Sequence, residues 1–305
     1  MKKFRNFGLA VILLAFGLMA IGSSSTSTSE TKAIVGADGG SSDTTEVESE
    51  IATETEAAAK ITIEEQVLFE QDGLKVTATE YVSDSIWGDS IKLLIENDGS
   101  SDIGLGCTAL IVNDYMITDL FSSTIAAGKK ANEELDLSSS SLKAAGIETV
   151  GKVEVYFHTF DPDSYMTIDN LDCVTIETSA FDSMDLTPND AGQELYNSDG
   201  IRIVGKYVDE NSFWGTAILL YIENNCGENK IIQCEDLSIN GYMLTPYFSC
   251  TIYDGKKAVD DITLLSSQLE ENGITEINDV ELKFKIIDED FMGRVETDVI
   301  AFSAQ

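Results

Sequence analysis

Apolar and polar residues alternate along much of the chain beyond residue 60. In VELKFKII, Val280, Leu282, Phe284 and Ile286 fall on one side, with Glu281, Lys283 and Lys285 on the other. VEVYFHTF repeats the pattern with Val153, Val155 and Phe157. A period of two sends successive side chains to opposite faces of an extended strand, so both segments predict strands with one face in a core. IKLLIEN and AILLYIEN are continuous apolar runs and predict central strands covered on both faces. ENDGSSD, AAGKKA and NNCGEN break the pattern with turn chemistry. SSSSLKAAGI and LSSQLEENGI each predict one short helix, with Ser at its start and Gly146 or Gly273 at its end.

These segments come in pairs. Gly73 matches Gly200, Trp87 matches Trp214, Ile95 matches Ile222 and Cys107 matches Cys234, each pair 127 residues apart. Tyr115-Met116 and Tyr242-Met243 keep that offset, as do Lys129-Lys130 and Lys256-Lys257. The spacing predicts two homologous domains, 61–180 and 191–305, joined by a polar linker at 181–190. Each is long enough for its own core and too long for a solenoid repeat. Short strands with a single helical turn predict an all-β protein of two tandem antiparallel β-sandwiches.

The N-terminal part differs. Lys2, Lys3 and Arg5 precede an uncharged apolar run from Phe7 to Gly22, which reads as a signal peptide over 1–22. Residues 23–60 are rich in Ser, Thr, Glu and Ala and have too few apolar side chains to offset ordering entropy, so a disordered stalk is expected. LMAIGSSS is similar to the end of a bacterial lipoprotein signal, but Ser23 stands where lipidation needs a cysteine.

Ile-Glu-Asn closing a central strand, then an Asn-x-Tyr-Met strand and a GKKA turn, resembles immunoglobulin-like domains of unknown function. These occur in tandem on secreted or lipoprotein-like surface proteins of Gram-positive bacteria. The resemblance covers both copies and implies an extracellular sandwich without an active site.

Candidate chemistry is sparse. His158 is the one histidine, and Lys285 holds the equivalent outward position, so a solvated face is expected there. One histidine excludes an HExxH zinc site, and no GxSxG elbow is present. Five cysteines form no CxxC. Cys226 and Cys234 flank a predicted hairpin and are a candidate disulfide. Gly99, however, stands at the equivalent of Cys226, which favours Cys107 and Cys234 as small buried thiols. Trp87 and Trp214 at the turn before a central strand, with Tyr115 and Tyr242, are candidate ligand-binding aromatics; closing one end of each core is their structural role. Asp161 and Asp163, and Asp288 and Asp290, sit on equivalent hairpins as candidate Ca²⁺ ligands, against a plain solvated turn.

With 19 basic and 54 acidic residues the formal net charge is −35, which disfavours nucleic acid and anionic lipid surfaces as partners. The expected protein is exported to the cell surface or medium, touches membrane only through its N-terminal segment, and binds an envelope glycan or protein without catalysis. A structural spacer or envelope-assembly factor without a ligand, and a hydrolase with a carboxylate pair, are the alternatives.

Overall fold

Each repeat spends its alternating residues on two facing sheets. The structure, a computed structural model, describes residues 60–303 apart from 86–87 and 213–214. The predicted signal peptide, residues 23–59 of the predicted stalk, Trp87 and Trp214 lie outside the described residues. The first repeat runs β1 (Gln66–Gln71), β2 (Leu74–Ser85), β3 (Gly88–Asn97), β4 (Ile103–Val112), β5 (Tyr115–Ile117), β6 (Ser122–Ile125) and β7 (Lys129–Ser138). Helix α1 (Ser139–Ala145) follows, then β8 (Lys152–Phe160), β9 (Thr167–Asn170) and β10 (Val174–Glu177). The second repeats this order: β11 (Gln193–Ser198), β12 (Ile201–Ser212), β13 (Gly215–Asn224), β14 (Lys230–Ile239), β15 (Tyr242–Met243), β16 (Ser249–Ile252) and β17 (Lys256–Leu265). It closes with α2 (Ser266–Glu271), β18 (Asp279–Asp288), β19 (Arg294–Glu296) and β20 (Ile300–Ser303). The protein is all-β, with two short α-helices among the described residues.

The strand cores follow the predicted period. Val153, Val155 and Phe157 point into the first core with Val76, Ile91 and Ile95. Val280, Leu282, Phe284 and Ile286 line the second with Ile203, Ile218 and Ile222. Irregularities are duplicated too: β2 bulges after Ala78 and β12 after Gly205, at equivalent places. Central strand β3 departs from expectation. Only its inner face is fully buried; Lys92, Leu94 and Glu96 on the other face are half-buried.

Two asparagines per repeat explain the repeated phrases. Asn97 donates to Ser101 O and Ile125 O at 2.9 Å each, while its Oδ1 accepts from Gly99 N. Asn224 makes the same set with Glu228 O, Ile252 O and Cys226 N. Both are buried, so each satisfies backbone groups that would otherwise lack partners. Asn113, at φ 48°, accepts from Gly151 N and Lys152 N and donates to Thr149 O; Asn240, at φ 50°, ties Asn278, Asp279 and Glu276 alike. Asn tolerates the left-handed conformation better than most residues, which suits it to these turns.

The described residues form one compact unit in which the repeats are joined by a sheet. β5 pairs in parallel with β17, Tyr115 opposite Lys257 and Met116 opposite Ala258. This merges one sheet of each repeat into ten strands, flanked by a four-stranded sheet in the first repeat and a six-stranded sheet in the second. A third apolar cluster, Tyr115, Ala145, Val204 and Tyr221, fills the junction. The predicted linker is tied down there. Asn189 N donates to Tyr115 Oη at 2.8 Å, and Asp190 accepts from Arg202 at 2.7 Å. Among the described residues no helix is long and apolar enough to cross a membrane.

Candidate functional site

The two candidate tyrosines have opposite fates. Tyr115 is 2% exposed at the junction, so it is not the surface aromatic expected of it; docking of the second repeat covers it. Tyr242 is 50% exposed on edge strand β15, beside Met243 at 65%. The candidate disulfide is absent: all five cysteines are free. Cys226 directs its sulfur to Glu228 O within its own turn, whereas Cys234 faces the core, where burial pushes its thiol up to about 12. His158 is half-buried rather than solvated. Its Nδ1 lies 3.0 Å from Thr108 Oγ1, its ring crowds Gly106, and burial lowers its pKa. Lys285, its counterpart, pairs with Glu235 at 2.9 Å.

Three of the four candidate calcium ligands, Asp161, Asp288 and Asp290, have carboxylate oxygens engaged by neighbouring groups. Asp161 Oδ1 accepts from Asp163 N, Ser164 N and Ser164 Oγ at 2.9–3.0 Å, and the Ser164 bonds hold its carboxyl below the ordinary range. Asp288 pairs with Lys230 at 2.6 Å, and Asp290 accepts from Met292 N at 2.9 Å. Among the described residues no three His, Cys, Asp or Glu side chains converge as metal ligands.

What these turns do instead is present apolar side chains. Past β8, Tyr165 and Met166 stand 71% and 64% exposed, with Ile168 beyond them on β9. Past β18, Phe291 and Met292 stand 56% and 85% exposed, with Val295 on β19. In both hairpins the aromatic residue adopts a left-handed backbone, φ 57° at Tyr165 and 60° at Phe291. A bulky side chain there is strained, and the acidic caps hold it. Tyr165 N donates to Asp161 O at 2.7 Å and Phe291 N to Asp288 O at 2.9 Å. Tyr165 also stacks on Phe160, 6.0 Å between centroids and 17° between planes. In the sequence these turns read as calcium loops or as plain solvated turns. The overlooked signal is an aromatic residue and a methionine within three positions of each acidic pair, in DPDSYM and DEDFM.

The second repeat also carries an open groove of about 330 Å³, lined by Gly205, Lys206, Tyr207, Val208, Ile218 and Phe302. Val208 stands where the first repeat has Tyr81, a buried residue whose phenol donates to Asp89 at 2.5 Å. Lys206 is already engaged with Asn189 O and Oδ1, and burial lowers its pKa. Among the described residues no buried side-chain polar atom is left without a partner, so nothing orphaned points into the groove.

No family model matches the chain, and no curated protein does. Among solved structures, the YadV chaperone is similar at 12% identity over 76% of this chain and 99% of its own, with a TM-score of 0.24. The Amycolatopsis orientalis exo-chitosanase CsxA matches at 12% identity over 74% of this chain but 26% of its own, also at 0.24. A protein of unknown function from Porphyromonas gingivalis W83 matches at 13% identity, covering 68% of this chain and 89% of its own, at 0.18. At such scores these likenesses carry no argument.

Proposed function

We propose that this is an exported, non-enzymatic binding protein, and that its two repeats each offer an acidic hairpin tipped by an aromatic residue and a methionine to a partner at the cell envelope. The observation that carries the reading is the duplication of that tip: Tyr165 with Met166, and Phe291 with Met292, all exposed, with each aromatic on a left-handed backbone beside an aspartate that caps the turn. Large apolar side chains held out in water by a strained backbone cost stability, which a binding role offsets. The apolar character of Met, Ile and Val beside the rings suits a protein surface better than a sugar ring. Two tips in one chain raise avidity without new contacts where both engage. The signal-peptide pattern and the resemblance to immunoglobulin-like surface domains support an extracellular setting.

The tied junction favours a second reading, a spacer that sets a distance and binds nothing. One experiment separates the two. Wild type and a Tyr165→Ser/Phe291→Ser double variant are tested for co-sedimentation with peptidoglycan sacculi and for capture on immobilised envelope protein. Binding by wild type that falls at least about tenfold in the double variant supports the proposal. Wild type that binds neither material supports the spacer.

A further inference from the structure

We infer that the exposed edge of β15 docks a second copy of this chain, head to tail, by reusing the contact that joins the two repeats. The internal contact supplies the template. There the Tyr-Met edge of β5 lies along the Lys-Lys-Ala start of β17, with Lys257 N donating to Asp114 O at 2.9 Å. Lys257 Nζ sits over the Tyr115 ring at 5.5 Å, and Lys256 Nζ reaches Glu154 at 2.6 Å and Asp114 at 3.2 Å.

Both halves of this contact are written a second time, and among the described residues neither edge pairs with a second strand, although Lys130 already holds Glu96 on β3. The donor edge recurs as Tyr242-Met243, which pairs only with β14 and is 50% and 65% exposed. The receiving edge recurs as Lys129-Lys130-Ala131 at the start of β7, an edge strand whose sole sheet neighbour is β3. Within one copy β15 and β7 belong to different sheets, each as the terminal strand of its own. The charges also match. Glu281 is the counterpart of Glu154, and Asp279 replaces Lys152, so Lys129 of an incoming copy meets two carboxylates. An unpaired strand edge is a template for another strand, and a contact between two different surfaces propagates as an open chain rather than closing as a dimer.

The receiving face of the first repeat is the poorer one. Thr77, Leu94 and Asn132 stand where the second has Val204, Tyr221 and Val259, and Gly241 replaces Asp114. The outer contact is therefore weaker than the internal one and reversible.

Sedimentation velocity on the full chain over a concentration series tests this, with two variants of exposed residues. Tyr242→Ser/Met243→Lys disables the donor edge, and Lys129→Glu/Lys130→Glu disables the receiving edge; circular dichroism confirms that both fold. Wild type is expected to give a concentration-dependent ladder of oligomers. Each variant alone stays monomeric, and the two mixed form heterodimers and stop there, because one intact donor meets one intact receiver. Wild type that remains monomeric throughout, variants that still associate, or a mixture that stays monomeric would overturn the inference.

Discussion

The ring of Tyr115 in the first repeat meets that of Tyr221 in the second edge to face, with 6.4 Å between centroids and 69° between planes. Both residues are at most 2% exposed. Lys257 lies over the first ring and Arg202, at 5.8 Å, over the second, so the pair is closed in by cations. The positive edge of one ring faces the negative face of its neighbour, the preferred arrangement for aromatic pairs.

Truncating either ring opens a cavity at the junction. Tyr115→Ala or Tyr221→Ala is expected to cost roughly 3–5 kcal/mol and to split a single calorimetric transition into two, one per repeat. Tyr242→Ala at the equivalent exposed position changes stability by no more than about 0.5 kcal/mol. Equal effects at Tyr115 and Tyr242 would contradict the burial that separates them.

Asp114 sets the acid limit of the same junction. Burial alone raises its pKa, but hydrogen bonds from Lys152 at 2.8 Å and Lys256 at 3.2 Å outweigh it and hold the carboxyl below its ordinary 3.8. A carboxylate depressed by folding contributes stability above its unfolded value and loses it as pH falls through the folded one. Wild type therefore loses junction stability below about pH 4, whereas Asp114→Asn lowers the melting temperature at neutral pH and narrows the gap with wild type as pH falls through that range.

Asp260 behaves in the opposite sense. Burial raises its pKa, helped by the neighbouring charge of Asp261 and opposed by the Asp261 N–H at 2.8 Å. A carboxyl raised by folding has its full stability below the unfolded value of 3.8 and loses it as pH climbs through the folded one. Asp260→Asn keeps an acceptor for that N–H and removes the ionisation. It is expected to raise the melting temperature at pH 7 and to leave it unchanged near pH 3.

All five thiols are free. Intact mass should be identical with and without reductant, and the melting temperature should not move. A gain of two hydrogens on reduction would mean a bridge that the packing of Cys226 and Cys234 does not form.

Much of the fold was legible because it is local. Alternation in VEVYFHTF and VELKFKII records which side chains face their own core, and the 127-residue offset gives the second sandwich from the first. The site was less legible. DPDS and DEDF were visible as acidic turns, but whether such a turn binds a cation or braces a strained aromatic depends on where the carboxylates point. Asp161 spends its oxygen on the Asp163 and Ser164 amides and Asp290 on the Met292 amide, leaving the rings outside.

Sequence alone determined that a strand-rich unit is duplicated and which residues fill each core, because strand period and turn chemistry depend on neighbours along the chain. Only the tertiary structure decided that one Tyr-Met phrase is sealed at a junction and the other left in water. The two Tyr-Met edges differ in fate because a partner surface more than 80 residues away, at Val204, Tyr221 and Val259, comes to lie against the first. No local pattern carries that long-range contact.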